Sequence, residues 1–350
     1  MRFYSQQHPY YCGIDLHTRM MFCCIVDAEG KIVEHANLPT REARFLKLIE
    51  PYREGLVVGV ECMFSWYWLA DLCEREQIDF VLGHALYMRA IHGGKAKNDK
   101  IDSEKIARLM RGGTFPISYV YPKEMRATRD LLRRRMYFMR KRAELLTHVQ
   151  NTNWQYNLPS FTKKISYKGN RTGVAERFAD PSVQRMVELD LSVITQFDEH
   201  LRKIEWYLEK TAKVDDALTF HLLQTIVGVG RILALVLLYE IHDIHRFESV
   251  GRFVSYCRLV KCSHESAGKK KGSGGGKIGN AHLKWAFSEM VCLMLRESPE
   301  AQRFVAKKEK KHGKGKAMSI LAAKLGRAVY WMLKRKQPFN LTTLALAPMK

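Results

Sequence analysis

Four carboxylates stand where a folding chain has little use for them. Asp15 lies inside an apolar, β-rich stretch, Cys-Gly-Ile-Asp-Leu-His, where strand alternation prefers an apolar or neutral side chain. Glu61 closes the apolar run Leu56–Val60, and Asp99 and Asp102 stand three apart in Lys-Asn-Asp-Lys-Ile-Asp-Ser-Glu. That spacing puts both on one face of a helix start. Brought together without counter-charge, such groups raise one another's proton affinity and cost stability. Divalent cations relieve the repulsion. Mg2+ favours carboxylate oxygens and keeps several waters, with Mn2+ as the expected substitute. Two ions about 4 Å apart would hold both oxygens of an in-line phosphoryl displacement. Each residue also has an ordinary use: Asp99 or Asp102 as a helix N-cap, Glu61 as a solvated strand end, Asp15 as a partner of His17 or an arginine. In this order, on a basic chain, a metal site with all four as ligands is the preferred reading. Asp27 fits turn chemistry instead, and Asp71 a surface helix position.

The elements around these residues alternate. Tyr10–His17 and Met21–Ala28 read as strands, and Ala28-Glu29-Gly30 turns the chain into a hairpin partner, Lys31–Leu38. An amphipathic helix from Thr40 to Tyr52 precedes the apolar strand Leu56–Val60, which needs cover on both faces. Trp66–Glu76 reads as helix, Asp79–Leu82 as strand, and Asp102–Met110 as a helix closed by Gly112-Gly113. An antiparallel meander followed by strand, helix, strand, helix is the order of a ribonuclease H-like α/β fold. Residues 1–118 form this first domain. Residues 119–217 read as a helical region: a basic helix from Arg126 to Asn151, a looser stretch, and a second long helix from Pro181 to Lys213. These make an antiparallel, coiled-coil-like pair that also serves dimerisation. Residues 218–350 read as a mainly α C-terminal domain.

Composition narrows the partners. Fifty-eight basic residues against 36 acidic ones give a formal charge of +22, and a 46% share of hydrophobic residues supplies a packed core. A surplus of this size calls for a polyanion, with nucleic acid first. The first residues hold no apolar run suited to a signal peptide. The longest apolar run, Ile232–Tyr239, is too short to cross a bilayer, which takes about 20 residues. The cytoplasm is the expected location. Eight cysteines without a CxxC pair read as reduced, buried thiols, and Cys257, Cys262 and His264 lack zinc-ligand spacing.

Three segments suit phosphate contact. Arg133, Arg134 and Arg140 stand on the basic helix, where only Asp130 and Glu144 oppose the arginines and lysines in sequence. Gly228 and Gly230 form a tight turn before a helix, which would let backbone N–H groups approach a phosphate; an αα-hairpin without ligand fits the same letters. A loop of glycines, lysines and hydroxyls, Cys262 to Asn280, includes Lys269, Lys270, Lys271 and Lys277, and a flexible basic linker is the alternative reading. The lysine-rich stretch Lys307–Lys316 adds a further clamp, and such binding weakens steeply with salt.

Together these residues resemble a known family. Gly13-Ile-Asp15-Leu-His, Val60-Glu61 and Lys97-Asn-Asp99-Lys-Ile-Asp102 are similar to the DEDD motif of the IS-one-ten family of insertion-sequence transposases. Thr225–Ala234, Arg246-Phe247, Phe253–Val260, Glu265-Ser266-Ala-Gly268 and Ile278–Leu283 follow in that family's order. Pilin-gene invertases share the architecture. The resemblance implies a RuvC-like N-terminal domain with Asp15, Glu61, Asp99 and Asp102 as Mg2+ ligands. It also implies a nucleophilic serine in the C-terminal transposase domain that forms a phosphoserine link to DNA, assisted by carboxylates of a partner subunit. Ser266 best occupies that place, with Ser273 and Ser263 as rivals, because Ala267 stands where a glycine often follows the serine. Further implied partners are donor and target DNA, a guide (bridge) RNA from the element's own end, and a dimer or dimer of dimers. The expectation is an Mg2+-dependent, serine-assisted transposase or site-specific recombinase, cleaving and exchanging strands. The alternatives are a metal-only structure-selective endonuclease, a DNA invertase, and a non-enzymatic basic RNA-binding protein.

Overall fold

The computed structural model describes residues 2–91, 98–261, 264–272 and 278–341, without the side chains of 89–91, 211–215, 264–266 and 270–272. It divides into two compact units, Met1–Lys123 and Glu124–Lys350. The helical region expected at 119–217 is therefore not a unit of its own. Leu132, Met136 and Leu208 lie in one core with Leu235, Phe253, Phe287 and Leu325 of the C-terminal helices.

The first unit runs β1 (Phe3–Tyr4), β2 (Tyr10–Leu16), β3 (Met20–Asp27), β4 (Ile32–Pro39), α1 (Glu42–Ile49), β5 (Leu56–Glu61), α2 (Tyr67–Arg75), β6 (Asp79–Gly83), α3 (Ala85–Ile91), α4 (Asp99–Arg111) and β7 (Phe115–Pro116). The main sheet has the order β4-β3-β2-β5-β6. β2, β3 and β4 are antiparallel, while β5 runs parallel to β2 and β6 parallel to β5. This is the ribonuclease H-like arrangement. Asp27 closes the β3–β4 turn, its carboxylate accepting from the Lys31 N–H at 2.8 Å.

The two faces are covered differently. Cys12, Ile14, Val58 and Val60 pack on Phe45 and Ile49 of α1 and on Leu69 and Leu72 of α2. On the other face Tyr11, Val57 and Val81 pack on Ile106, Ala107 and Met110 of α4. Between those side chains, Gly13 and Gly59 stand opposite each other in register. A Cβ on Gly13 would lie 2.2 Å from the Ser103 carbonyl oxygen and 2.3 Å from the Ala107 nitrogen, and one on Gly59 would lie 2.3 Å from the Met110 sulfur. The backbone of α4 therefore rests directly on the backbone of β2. Its ends are tied as well: His35 Nε2 lies 3.1 Å from the Lys100 carbonyl, Arg108 donates to the Gly30 carbonyl at 3.1 Å, and Arg111 to that of Ala28 at 2.9 Å.

The second unit is built on α5 (Lys123–Gln155) and α6 (Pro181–Asp215), followed by α7 (Ala217–Gln224), α8 (Arg231–Ile241), α9 (Val250–Tyr256), the hairpin β8 (His264–Ser266) and β9 (Lys269–Gly272), α10 (Ala281–Glu297), α11 (Pro299–His312) and α12 (Lys314–Arg335). The ion pairs Arg135–Glu205, Arg142–Asp198 and His148–Asp190 descend in step, so α5 and α6 run antiparallel. α8 is buried from Leu233 to Ile241, and its Glu240 is 1% exposed. Arg133 forks onto that carboxylate at 2.7 and 3.0 Å, Arg129 reaches it at 3.0 Å, and Asn280 donates to it at 2.7 Å. Burial works against the charge, but the arginines and Asn280 prevail and lower its pKa to about 2.

Two predictions follow from these contacts. Gly13→Ala drives a methyl into helix backbone that cannot swing aside, and is expected to destabilise the chain by about 1–3 kcal/mol, read as a lowered denaturation midpoint. Removing one member of a buried ion pair strands the others. Glu240→Gln is accordingly expected to cost about 3–5 kcal/mol. In the unaltered chain the Glu240 contribution is complete above the ordinary glutamate value of 4.5 and fades as the pH falls through about 2. Denaturant titration between pH 2 and pH 7 checks both the loss and its direction.

Candidate active site

Strand alternation carries the exposed ends of β2 and β5 onto the α4 face. Gly13 and Gly59 face α4, so Asp15 and Glu61, two residues farther along adjacent parallel strands, point to the same side. Both stand at carboxyl ends of parallel strands, the edge at which such sheets bind ligands. The loop after Glu61 is pinned beside this edge. Cys62 N–H donates to the Gly83 carbonyl at 2.9 Å, and Ser65 Oγ to that of Leu16 at 3.2 Å.

From the helix side, Asn98 caps α4 by accepting from the Ile101 N–H at 2.8 Å. With the cap supplied by Asn98, Asp99 and Asp102 of the first turn do not serve as the cap. Their charges also suit the positive end of the helix. Asp102 has an i,i+3 partner in Lys105 at 3.7 Å.

One donor at this edge was not singled out as a ligand from sequence. His17 Nε2 lies 3.4 Å from Asp15 Oδ2 and 3.6 Å from Asp99 Oδ2. One ligand atom from each of Asp15, His17 and Asp99 lies within 4.8 Å of the others. Asp15 is half-buried. Desolvation raises its pKa, His17 opposes the rise, and the charges of Asp99 and Asp102 add to it. A half-buried carboxylate pressed by two like charges, with donors converging around it, is a fitting site for a divalent cation. Asp15, Asp99 and His17 are thus brought together, Asp102 acts on Asp15 through its field, and Glu61 flanks them on the neighbouring strand.

The serine segment lies in the second unit. Ser266 ends β8 and pairs with Lys269 of β9 across the turn Ala267-Gly268. Both turn residues have positive φ, 52° at Ala267 and 70° at Gly268. Position 267 therefore adopts the left-handed backbone that favours glycine, and alanine holds it under strain. Ser263, Ser273, Cys262 and Lys277 lie outside the described residues, as do the side chains of Ser266, Lys270 and Lys271. Lys269 is exposed.

Several phosphate contacts expected from sequence are otherwise engaged. Arg133 is bound to Glu240, so its charge is spent inside the unit. Gly228 (φ 80°) lies where a Cβ would come within 2.8 Å of the α10 backbone at Leu293 and Met294, so its place is set by helix packing. Gly230 is the exposed N-cap of α8. Arg134 and Arg140 remain at the surface, Arg134 over the Tyr137 ring at 5.5 Å. Lys307, Lys310, Lys311, Lys314 and Lys316 are exposed. Desolvation, then Lys316, Lys311 and Lys308, lower the pKa of His312, as expected within a crowd of like charge. Among the described residues, no helix is long and apolar enough to cross a membrane.

Comparison with known proteins covers both units. A family profile described as the transposase IS116/IS110/IS902 family matches residues 220–306, and a DEDD transposase profile of the IS110 group matches 12–155. The chain is 20% identical over 342 residues to the transposase for insertion sequence element IS1111A of Coxiella burnetii, spanning 94% of this chain and 90% of that protein. It is 28% identical over 206 residues to the protein named "Putative transposase y4qE" of Sinorhizobium fredii, spanning 55% of this chain and 46% of that one.

The crowding of Asp15 has a measurable sign. A raised folded-state pKa means that its contribution to stability is present below the ordinary aspartate value and is lost as the pH rises through the raised one. At neutral pH, in chelator, Asp15→Asn is expected to raise the melting temperature. The same substitution is expected to abolish the further rise that added Mn2+ or Mg2+ gives the unaltered chain. Thermal melts with and without the ions test both halves.

Proposed function

Because the chain belongs to the IS110 family of transposases, and so is a DNA-processing enzyme, we propose that it cleaves and rejoins DNA with two separate tools, a carboxylate-held cation and a serine nucleophile. The convergence of Asp15 and Asp99 at the strand ends carries the first half of this reading. Asp15, Asp99, Asp102 and Glu61 would hold the divalent cation, Mg2+ or Mn2+. The cation would supply Lewis-acid stabilisation of charge developing on the phosphate. The matches across 12–155 and 220–306, which include all four carboxylates and Ser266, support joining the two halves in one activity.

The roles of the residues are as follows. Ser266 Oγ attacks the scissile phosphorus while its proton passes to water, a P–Oγ bond forms, and the bond to the departing strand breaks. That strand leaves as a hydroxyl after taking up a proton. A hydroxyl of the incoming strand then attacks the phosphoserine and releases Ser266, so strands are exchanged without net hydrolysis. Ser266 ends a hairpin strand, next to a turn with positive φ at both Ala267 and Gly268. Arg134, Arg140, Lys269 and the Lys307–Lys316 stretch are the contacts for phosphate backbones. A guide RNA is the reading of part of this surplus charge, and assembly as a dimer or dimer of dimers is proposed through α5 and α6.

The decisive experiment traps the covalent step. With a nicked suicide substrate, the unaltered chain is expected to give a denaturant-resistant protein–DNA adduct. Ser266→Ala is expected to abolish it while leaving DNA binding within about threefold, as loss of one hydroxyl among many phosphate contacts should. Asp15→Asn is expected to reduce the adduct by more than about 100-fold, beyond the usual loss for an outer-sphere partner. An adduct that survives Ser266→Ala and vanishes in Ser273→Ala moves the nucleophile. Cleavage with no adduct at all favours the metal-only nuclease. Sequencing of RNA that copurifies with the chain tests guidance.

A further inference from the structure

We infer that His17 is an inner ligand of the cation held by Asp15 and Asp99, and that its nitrogen makes the site select Mn2+ over Mg2+. The inference rests on the cation reading above and is independent of the serine. Two ligands of one ion at about 2.1 Å stand about 3 to 4.2 Å apart, depending on whether they are adjacent or opposite. The separations at His17 Nε2, 3.4 Å to Asp15 and 3.6 Å to Asp99, fall inside that range. Attraction to two carboxylates alone would draw an exposed histidine to this place.

This one is held at its root. The His17 N–H donates to the Met20 carbonyl at 3.1 Å, closing the tight β2–β3 turn. Its carbonyl accepts from Thr40 Oγ1 at 2.9 Å, at the end of β4. The preceding Leu16 carbonyl accepts from Ser65 Oγ on the β5–α2 loop. Three elements thus fix the backbone from which the ring projects, so only the side chain remains to be ordered when an ion arrives.

The chemical consequence follows from the donor. An all-oxygen set suits Mg2+, whereas an imidazole nitrogen adds affinity for first-row transition ions and little for Mg2+. The carboxylates would bind either ion, and His17 would discriminate between them.

Electron spin-echo spectroscopy of Mn2+ bound to the full chain reads the ligand directly. The expected result is 14N modulation from a bound imidazole that disappears in His17→Ala. By titration, that variant is expected to lose more than about 100-fold in Mn2+ affinity, beyond the usual loss for an outer-sphere partner, and less than about threefold in Mg2+ affinity. Mn2+ bound without nitrogen modulation, with affinity unchanged in His17→Ala, overturns the inference while leaving the carboxylate site standing. Failure of the unaltered chain to bind Mn2+, or binding untouched by Asp15→Asn, overturns the underlying cation reading instead. Should His17→Ala fail to fold, the spectrum of the unaltered chain with 15N-labelled histidine still decides, because the nitrogen modulation either changes or was never from histidine.

Discussion

The first unit depends on one close approach, the contact of the α4 backbone with the β2 backbone at Gly13. Side chains of ordinary size would hold a helix about 10 Å from a sheet, as they hold packed layers in general. Here glycines on both β2 and β5 remove that spacer at the point where Ser103, Ala107 and Met110 come down. The carboxylates near the first turn of α4 are thereby lowered to the level of a strand-borne carboxylate. His35 at one end, and Arg108 and Arg111 at the other, keep the helix from sliding along the sheet. The repulsion that results among Asp15, Asp99 and Asp102 is borne by packing elsewhere in the unit, since tightly filled layers on both faces of the sheet leave α4 no other seat.

The second unit treats its charges in the opposite way. A chain carrying +22 would be expected to display its arginines. Yet Arg129, Arg133, Arg135, Arg142 and Arg171 are spent on Glu240, Glu205 and Asp198 inside the helical assembly. The planar guanidinium suits such buried, forked pairing, and the more strongly hydrated lysines are left to the surface. The division of labour is visible along the chain: arginines fasten α5 to α6 and α8, while lysines crowd the junction of α11 and α12.

Much of the first unit was legible because its signals are local. The alternation of Tyr10–Leu16 and the apolar run ending at Glu61 gave strands in the right order, and Asp27 was correctly read as turn chemistry. The carboxylate spacing at Asp99 and Asp102 located a helix start, though its cap turned out to be Asn98. What sequence reasoning missed depends on partners far away in the chain. The basic helix looked unopposed because its acidic partners lie 56 to 111 residues downstream. His17 was seen only as a possible partner for Asp15, since its convergence with Asp99 depends on the approach of α4. Gly228 carried a glycine signature shared by phosphate loops and close helix crossings, and only the neighbouring α10 decides between them. At Ala267 the sequence departs from Ser-Gly, yet the backbone there keeps the glycine-like conformation, which no residue-type pattern would disclose.

The ionic centre at Glu240 also sets a timetable. Arg129 and Arg133 leave the ribosome more than a hundred residues before the carboxylate that neutralises them, and Asn280 follows 40 residues after it. At about 5–20 residues per second, the nascent α5 spends several seconds with its guanidinium groups unmatched, in a compartment crowded with ribosomal RNA. Only when α8 and then α10 have been synthesised do these guanidinium groups acquire their internal counter-ion, so the buried ionic centre closes late in the making of the chain.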